Sequence, residues 1–554
     1  MCSVGDIAGE YVERYAALDP LCATYLGIAG HDDELADLSE DGFAGRAELD
    51  RVTLAALAGA QARGPAEQVA RAAMAERLAL EGERYDAGEV TSELNLTASW
   101  VQYVRQLFDL MPADGEEAAV NIARRMAAVP RAYGQLSQTL LGAARNGRAP
   151  ARRQVEEVAR QCAGWARPPD SFYSGVVGRL TGVPDRLRGE LEAAARAATA
   201  ATAGLGDFLR RELLPLAREK DACGPEVYAR ACRYFLGAAV DLAQAYAWSW
   251  EEIARLRAAQ ARVSGLIKPG ATRQEAAAIL DADPARRIEG PENFRAWMQE
   301  LADRAIFELH GTHFDIPAPA RRIKAMIAPA QDGAIYYMQP SEDWARPGQI
   351  WWPAPESTDS FRTWREVTII YHEGVPGHHL QTAQAMAERE NLNRWQRLMC
   401  RVPGHGEGWA LYSERLMGEL GYLDDPGAHL GMLNGQLQCA AQVALDIGVH
   451  LELEIPLGTG WREGERWNTQ IAWEFLRAHS RQDDEARLRF ALNRYLGWPG
   501  QAPSYKLGER IWLQARDEAR QRAGNAFSLK DFHTKALSLG SMGLDPLRQA
   551  LARL

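Results

Sequence analysis

The chain has 554 residues, of which 47% are hydrophobic and 25% are charged, a balance typical of a folded globular protein. Its formal net charge of −11 argues against nucleic acid as the main partner, because phosphate binding requires a basic face. No uninterrupted apolar run reaches the roughly 18 residues that indicate a membrane span, so we expect no membrane partner.

The first residues and the cysteines predict a cytoplasmic protein. The segment 1–6, MCSVGD, has neither the basic start nor the apolar stretch of a signal peptide. The seven cysteines are scattered, odd in number and never spaced as Cys-x-x-Cys. This pattern is typical of thiols in a reducing compartment rather than of a disulfide frame or a cysteine metal site. The sequence leaves a homodimer open.

Residues 1–310 predict a helical scaffold lobe. They are dominated by Ala, Leu, Arg and Glu, which favour helices, and apolar residues recur three and four positions apart, as in 155–162 and 191–198. Gly-Pro and Pro-Pro pairs near 64, 168 and 224 indicate turns between helices. Before position 310 this lobe contains one histidine, His31, and no cluster of ligands.

The residue composition of the sequence changes between about 316 and 354. Short runs rich in β-branched or aromatic residues and bounded by Pro and Gly predict two or three strands, at 323–327, 334–338 and 349–352. Helical patterns then return from Thr363 to the end.

The predicted fold class is therefore mostly α, a large helical body with one small antiparallel or mixed sheet that precedes the histidine-rich segment 372–379. The clearest of the later helical stretches are 408–420, 433–453 and 507–523. We predict a catalytic lobe over 311–554 after the scaffold lobe. The two lobes belong to one continuous α-rich unit, and the boundary between them is approximate.

The segment 372–379, HEGVPGHH, holds three of the 11 histidines. Neutral imidazole and carboxylate are favoured zinc ligands, and a catalytic zinc site uses three protein groups and a water. A His-Glu pair on one helical turn directs a ligand and a general base at the same ion. These residues therefore predict His372 as a metal ligand and Glu373 as the catalytic base of a zinc-dependent peptidase.

The spacing of these histidines differs from that of a regular zinc helix, whose second histidine follows at i+4. Here Pro376 occupies that position. On an ideal helix His378 would point roughly a third of a turn away from His372, and His379 would lie about 10 Å further along the axis. A bulge or wide turn at 375–377, VPG, would return a histidine to the metal. His378 is favoured over His379, and a turn with solvated histidines is the alternative.

A carboxylate flanked by glycines opens a second helix in the segment 404–414, GHGEGWALYSE. Glu407 is the predicted third ligand, and its neighbouring glycines permit close approach of two backbones. Glu414 lies seven residues on, on the same face, and could orient a ligand histidine. The alternative for Glu407 is a first-turn residue favoured by the helix dipole.

Two further features fit a peptidase. Asp446 and His450 are spaced i and i+4, so His450 would stabilise the tetrahedral intermediate while Asp446 fixes its tautomer; a surface Asp–His pair is the alternative. In the Gly- and Pro-rich segment 493–508, Tyr505 would stabilise an oxyanion, while Arg494 or Lys506 would hold a substrate carboxylate. The alternative is that this segment is an ordinary loop, whose aromatic side chains only pack against their neighbours.

Three segments in this order, 372–381, 407–412 and 499–508, resemble a large bacterial family filed as domain of unknown function eight-eight-five and grouped with the zincin-like metallopeptidases. The resemblance covers about 307–520. Its fold is similar to that of the thermostable carboxypeptidases and, more distantly, of angiotensin-converting enzyme and the thimet oligopeptidases, which are helical bodies split by a deep cleft. Many relatives look exported or lipid-anchored.

The resemblance implies a metal held by His372, one of the following histidines and Glu407, with Glu373 as base. It also implies that the short strands form the sheet whose edge holds the substrate backbone. The predicted function is a zinc-dependent carboxypeptidase or oligopeptidase for short or unfolded peptides. The alternatives are a metal-free peptide-binding relative and a metal-dependent hydrolase of non-peptide amides; manganese or cobalt would also suit these ligands.

Overall fold

The chain folds mainly into α-helices, and the predicted fold class is confirmed. The computed structural model describes residues 3–328, 335–354, 360–480 and 484–553. None of the helices in these ranges combines the length and apolarity that a membrane span requires. The helices are α1 (Val4–Leu18), α2 (Pro20–Leu26), α3 (Glu40–Gly59), α4 (Pro65–Asp86), α5 (Trp100–Leu110), α6 (Gly115–Arg145), α7 (Arg152–Trp165), α8 (Phe172–Gly178), α9 (Asp185–Phe208), α10 (Pro225–Leu236), α11 (Leu242–Ile267), α12 (Arg273–Ala282), α13 (Pro291–Leu309), α14 (Thr363–Glu373), α15 (His378–Ala387), α16 (Arg394–Leu398), α17 (Pro403–Glu419), α18 (Pro426–His450), α19 (Thr469–His479), α20 (Glu485–Gly497), α21 (Ser504–Ala523), α22 (Leu529–Ser538) and α23 (Leu544–Leu551).

The described residues also form two small β-sheets. Their strands are β1 (Arg287–Glu289), β2 (Ile323–Ala328), β3 (Tyr336–Met338), β4 (Gly348–Pro353) and β5 (Ser360–Arg362). The three predicted strands form a mixed sheet of order β2-β4-β3, in which β2 is parallel and β3 antiparallel to β4. Ala334, which the prediction included, lies outside the described residues. The antiparallel pair β1-β5 adds a second sheet that the sequence analysis did not anticipate.

The chain divides into two compact units. Unit 1 comprises Met1–Gln61, Arg77–Cys223 and Phe490–Trp498, and unit 2 comprises Ala62–Glu76, Gly224–Arg489 and Pro499–Leu554. The boundary expected at about residue 310 falls inside unit 2, so helices α10 to α13, which precede that boundary, belong with the segment 372–379. The predicted deep cleft stays a prediction.

Unit 1 is a helical body around one apolar core. The apolar faces predicted from the three-and-four spacing at 155–162 and 191–198 lie on α7 and α9, and both are buried in this core. Their partners are α5 and α6, whose buried side chains join the same cluster. Burial of apolar surface at a three-to-four spacing explains why a sequence of strong helix formers packs here as helices around a shared core.

Unit 2 is built around α18, which is buried along most of its length. A helix that is apolar on every side must be covered on every side. Accordingly α18 packs against α11, α14, α17, α19 and α21. Two of these neighbours, α14 and α17, carry the residues singled out by the sequence, so the central helix positions the backbone on which the candidate site is built.

Helices α17 and α21 approach each other at glycines. A Cβ atom at Gly408 would lie 2.5 Å from the carbonyl carbon of Gly508 and 2.6 Å from its Cα, closer than carbon atoms can pack. The close approach predicted for the glycines beside Glu407 is therefore confirmed at Gly408. At Gly406 the nearest atom to such a Cβ would be 3.7 Å away, in ordinary contact.

We expect Gly408→Ala to destabilise the protein and Gly406→Ala to leave it at least as stable as the wild type. The first substitution forces α17 and α21 apart, at a cost of about 1–3 kcal/mol for overpacking. The second replaces a helical glycine with the best helix former, a gain of about 0.5–1 kcal/mol. Thermal unfolding of both variants measures the difference, and equal midpoints would contradict the close-packed crossing.

Three of the buried histidines of unit 2, His405, His479 and His533, bind a proton only well below pH 6.5. Burial lowers the pKa of His405 to about 4, partly opposed by its hydrogen bond with the backbone of Met542. Burial also lowers the pKa of His479 to about 4 and that of His533 to about 3. An unfolded histidine titrates near 6.5. Between pH 6.5 and 4 the unfolded chain therefore binds protons that the folded chain does not bind.

We expect the thermal midpoint to fall as the pH is lowered from about 6.5 to 4. Each of these histidines lowers the free energy of unfolding by up to about 1.4 kcal/mol for each pH unit of acidification in this range, because its pKa is depressed only in the folded state. His533→Gln retains an amide for the hydroxyl of Tyr412, 2.7 Å from the ring nitrogen, and removes one titrating group. The thermal midpoint of this variant should depend less steeply on pH than that of the wild type. An equal pH dependence of the two midpoints would be inconsistent with a buried neutral His533.

Candidate metal centre

The segment 372–379 forms two helix ends joined by a tight turn. His372 and Glu373 are the last two residues of α14, and His378 is the first residue of α15. Between them the amide of Gly377 donates to the carbonyl oxygen of Tyr371 at 3.0 Å. A Cβ atom at Gly377 would overlap the carbonyl oxygen of His372, so only glycine fits. The predicted break in the helix is confirmed.

Helix α17 holds this turn in place. The indole nitrogen of Trp409 donates to the carbonyl oxygen of Pro376 at 2.8 Å, and the hydroxyl of Ser413 donates to the same oxygen at 3.3 Å. Both donors are buried. A buried carbonyl that accepts two hydrogen bonds is fully satisfied, so the turn has a defined position relative to α17.

The turn brings His372 and His378 together with Glu407 of α17, and we call these three residues the His-His-Glu cluster. One ligand atom of each lies within 4.8 Å of the others. The Oε2 atom of Glu407 is 3.4 Å from Nε2 of His372 and 3.3 Å from Nε2 of His378. Ligands about 2.0–2.1 Å from a tetrahedral zinc ion are about 3.3 Å apart, so these two spacings and this donor set fit zinc. Metal binding by the cluster stays a prediction.

Glu414 orients His372 from the side opposite the cluster. Its Oε1 atom accepts a hydrogen bond from Nδ1 of His372 at 2.8 Å, and its Oε2 atom accepts one from the hydroxyl of Thr368 at 2.6 Å. With the hydrogen on Nδ1, the lone pair of Nε2 points into the cluster, which is the tautomer a metal ligand requires. The placement predicted for Glu414 is confirmed.

The cluster has strong internal electrostatics. Burial lowers the pKa of His372, but hydrogen bonds to Glu407 and Glu414 outweigh burial and raise it to about 10. Burial raises the pKa of Glu407, yet the charge of His378 and the hydrogen bonds of both histidines hold it well below its usual range. The carboxylates of Glu407 and Glu414 therefore favour positive charge at this place, which a divalent cation would also supply.

Glu373 is buried beside the cluster, and no described residue forms a hydrogen bond with its Oε2 atom. Burial raises the pKa of this carboxyl, and the charges of His372 and His378 act in the opposite direction. Unpaired buried carboxylate oxygens are rare in proteins and costly, and they concentrate at functional sites. The position fits the base predicted for Glu373, whose catalytic role stays a prediction.

His379 faces away from the cluster. Its Nε2 atom is 2.7 Å from the carbonyl oxygen of Ala320, and its Nδ1 atom is 2.9 Å from the hydroxyl of Tyr337. Burial lowers the pKa of His379 to about 4, partly opposed by the hydrogen bond to Ala320. Both ring nitrogens are occupied by protein partners, so the structure places His378, and not His379, beside His372.

Tyr505 lies close to the cluster on the first turn of α21. Its ring centroid is 6.5 Å from that of His372, with the planes 17° apart. The predicted loop over 493–508 is wrong in extent, because α20 runs to Gly497 and α21 begins at Ser504. The apolar spacing after position 504 continues a helix, which shortens the loop to 498–503 and fixes Tyr505 on a rigid element.

His450 and Asp446 are both fully buried on α18. The Nε2 atom of His450 is 3.9 Å from Oδ1 of Asp446, and its ring stacks on Tyr228 at 5.5 Å. The Oδ2 atom of Asp446 accepts hydrogen bonds from the hydroxyl of Tyr228 and the amide of Gly500, both at 2.8 Å. The alternative of a surface Asp–His pair is therefore wrong, and contact between His450 and substrate stays a prediction.

The two candidate anchors for a substrate carboxylate differ in their surroundings. Arg494 belongs to unit 1, where its guanidinium lies 5.0 Å above the ring of Tyr495, and its anchoring role stays a prediction. Lys506 belongs to unit 2 and is 1% exposed, with Nζ 3.1 Å from Glu252 and 2.5 Å from Glu509. Its charge is already neutralised, so the prediction that Lys506 holds a substrate carboxylate is wrong.

Several residues of the site were missed in the sequence. Thr368 precedes His372 by four residues, a spacing that places both on one face of α14 and was a usable signal. Trp409 and Ser413 have the same spacing on α17. Tyr337 had no such signal, because its contact with His379 joins segments 42 residues apart.

Comparison with known proteins places the chain by family and fold. The family model described as "Bacterial protein of unknown function (DUF885)" matches residues 20–551. A "putative lipoprotein" from Colwellia psychrerythraea has a similar structure, with 20% identity and a TM-score of 0.83 over 100% of this chain and 99% of that chain. A "putative lipoprotein of unknown function" from Shewanella oneidensis has 17% identity and a TM-score of 0.75 over 100% of both chains.

The similarities to the two solved structures show the fold alone. No curated protein matches the chain. Neither structural relative is described as a peptidase or a metal protein, so the resemblance to zincin-like peptidases stays a prediction.

We expect Glu414→Gln to weaken zinc binding about 10- to 100-fold, the usual effect of losing a carboxylate behind a ligand histidine. The neutral amide no longer favours a hydrogen on Nδ1 of His372. Competition with a chromogenic chelator measures the affinity. Glu419→Gln is the matched control on the same helix, since Glu419 pairs with Arg516 instead. Equal affinities in the two variants would show that Glu414 has no orienting role.

Proposed function

The chain belongs to the bacterial proteins of unknown function grouped as DUF885, and on that premise we propose that it is a zinc-dependent peptidase. The observation that carries this proposal is the His-His-Glu cluster with the buried carboxyl of Glu373 next to it. Two imidazoles and one carboxylate match a catalytic zinc site, which leaves a position for water. A base beside such a site is the other requirement for metal-assisted hydrolysis.

His372, His378 and Glu407 would hold the metal, with Glu414 orienting His372. When bound, zinc supplies a Lewis acid that makes water nucleophilic near neutral pH and polarises a substrate carbonyl. Manganese or cobalt would suit the same ligands.

Glu373 is the general base in this proposal. Its Oε2 atom, which has no hydrogen-bond partner within the described part of the chain, takes a proton from the attacking water and later passes it to the leaving amine. Burial supports this role, because a raised pKa makes a carboxylate a stronger base than one in water.

Tyr505 and His450 are the proposed stabilisers of the oxyanion. Tyr505 is supported by its place beside His372 on the rigid first turn of α21. His450 has weaker support, since its side chain is fully buried against Asp446 and Tyr228. The anchoring of a free C-terminus by Arg494 stays a prediction from the sequence.

We infer short or unfolded peptides as substrates, cleaved by carboxypeptidase or oligopeptidase action. The side chains of the cluster are only 12%, 17% and 22% exposed for His372, His378 and Glu407. A cluster this enclosed admits an extended chain more readily than the surface of a folded protein. We also infer a cytoplasmic location from the six thiols among the described cysteines, which suit a reducing compartment. Cell fractionation tests this against an envelope location.

Glu373→Gln tests the mechanism directly. We expect the variant to retain one equivalent of zinc, since no ligand changes, while peptide hydrolysis falls by about 10²- to 10⁴-fold, the usual contribution of a general base. Elemental analysis and cleavage of a mixed peptide library measure the two quantities. Glu366→Gln, on the same helix, is the matched control that should retain both. Full hydrolysis by Glu373→Gln would sink the assignment of the base.

Metal content separates this proposal from a binding protein without metal. Protein purified without chelator should carry zinc, and His378→Ala should lose it. Only trace metal in the wild type, together with peptide binding, would identify a metal-free peptide binder. Hydrolysis of acylated amino acids but not of peptides would identify a hydrolase of non-peptide amides.

A further inference from the structure

His379 joins the helix that begins with His378 to the three-stranded sheet. The carbonyl oxygen of Ala320 can only accept, so Nε2 of His379 carries the hydrogen and donates to it at 2.7 Å. Nδ1 then holds the lone pair and accepts from the hydroxyl of Tyr337 at 2.9 Å. The hydrogen-bond network therefore assigns a single neutral tautomer to His379.

These two hydrogen bonds reach different parts of the sheet. Ala320 lies just before β2, and Tyr337 is the middle residue of β3, the end strand in the order β2-β4-β3. The start of the central strand β4 is also at this place. A Cβ atom at Gly348 would lie 2.5 Å from both the hydroxyl of Tyr337 and Nδ1 of His379. Strands β3 and β4 and the turn just before β2 therefore meet at His379, and its hydrogen bond with Tyr337 lies directly against the backbone of β4.

Tyr337 also contacts the His-His-Glu cluster. Its ring centroid is 6.4 Å from that of His378, with the planes 23° apart, and 5.6 Å from that of His379. The same side chain thus packs on the histidine beside Glu407 and hydrogen-bonds to the next residue of the chain. This arrangement places β3 next to the cluster.

We infer that His379 is a positioning residue, which holds β3 at a fixed place beside the His-His-Glu cluster through its hydrogen bond with Tyr337. A peptide that pairs with β3 then has its scissile carbonyl in register with the cluster. The inference rests on the proposed function for its substrate, and it gives adjacent histidines separate tasks. His378 is part of the cluster, whereas His379 holds the strand that would pair with the substrate.

The Tyr337→Phe variant removes the hydroxyl and keeps the ring against His378. We expect KM for peptides to rise about fivefold, the effect of losing one hydrogen bond, with kcat and zinc affinity nearly unchanged. His379→Gln keeps an amide donor near the position of Nε2 for Ala320 but has no atom at the position of Nδ1, so the hydroxyl of Tyr337 loses its acceptor and the variant should act similarly. The double variant should match the single ones, because both remove the same interaction.

Tyr246→Phe is the matched control. Its hydroxyl is also buried, donating to the carbonyl oxygen of Glu454 at 3.2 Å and accepting from Trp467 at 2.7 Å. This variant should lose stability and keep the wild-type KM. An equal rise of KM in Tyr246→Phe and Tyr337→Phe, or additive effects of Tyr337→Phe and His379→Gln, would overturn the positioning role.

Hydrogen exchange separates failure of this inference from failure of the proposed function. In the zinc-loaded chain the amides of Tyr336–Met338 should exchange faster in Tyr337→Phe than in Tyr246→Phe or the wild type. If the wild type cleaves no peptide, the proposed function fails, while this exchange still decides whether His379 holds β3. Unchanged exchange in Tyr337→Phe would overturn the inference whether or not peptides are cleaved.

Discussion

The carbonyl oxygen of Pro376 is the point on which the candidate metal centre depends. It accepts hydrogen bonds from Trp409 and Ser413 of α17, and these fix the turn between α14 and α15. The same helix carries Glu407 and Glu414, which meet the histidines on either side of that turn. Because one rigid element supplies both the anchors and the carboxylates, the turn and the ligands share a common frame. A shift of α17 would move every part of the site together, which is how preorganised sites keep ligand positions to fractions of an ångström.

Close packing makes that frame rigid. Gly408 lies against the backbone of Gly508, so α17 cannot slide toward α21, and α18 supports α17 and α14 from beneath. A tightly packed interior has few alternative arrangements, and its low compressibility holds buried charges where they are. That rigidity matters for Glu373, whose buried oxygen would otherwise relax toward a hydrogen-bond donor. The surrounding structure keeps this oxygen without a partner among the residues that the structure describes.

Adjacent histidines acquire different surroundings through helix geometry alone. Successive residues on a helix point about 100° apart, so His378 and His379 at the start of α15 cannot face the same neighbours. His378 meets Glu407, while His379 meets Tyr337 and the carbonyl before β2. The segment 372–379 thus contributes to two different sites. The site of His378 suits a cation, and the site of His379 consists of neutral hydrogen bonds.

The sequence by itself determined the mostly helical class, the short strands before the motif and the helix break at Pro376 and Gly377. These features are local: propensity, apolar periodicity and a missing amide hydrogen act within a few residues. Only the tertiary structure decided that His378 rather than His379 joins the cluster, since the two are identical in chemistry and adjacent in the chain. It alone brought the carboxylate of Glu252 to Lys506, and it paired β1 with β5. Such contacts join residues far apart in sequence, and no local pattern records which distant segment will pack against a given side chain.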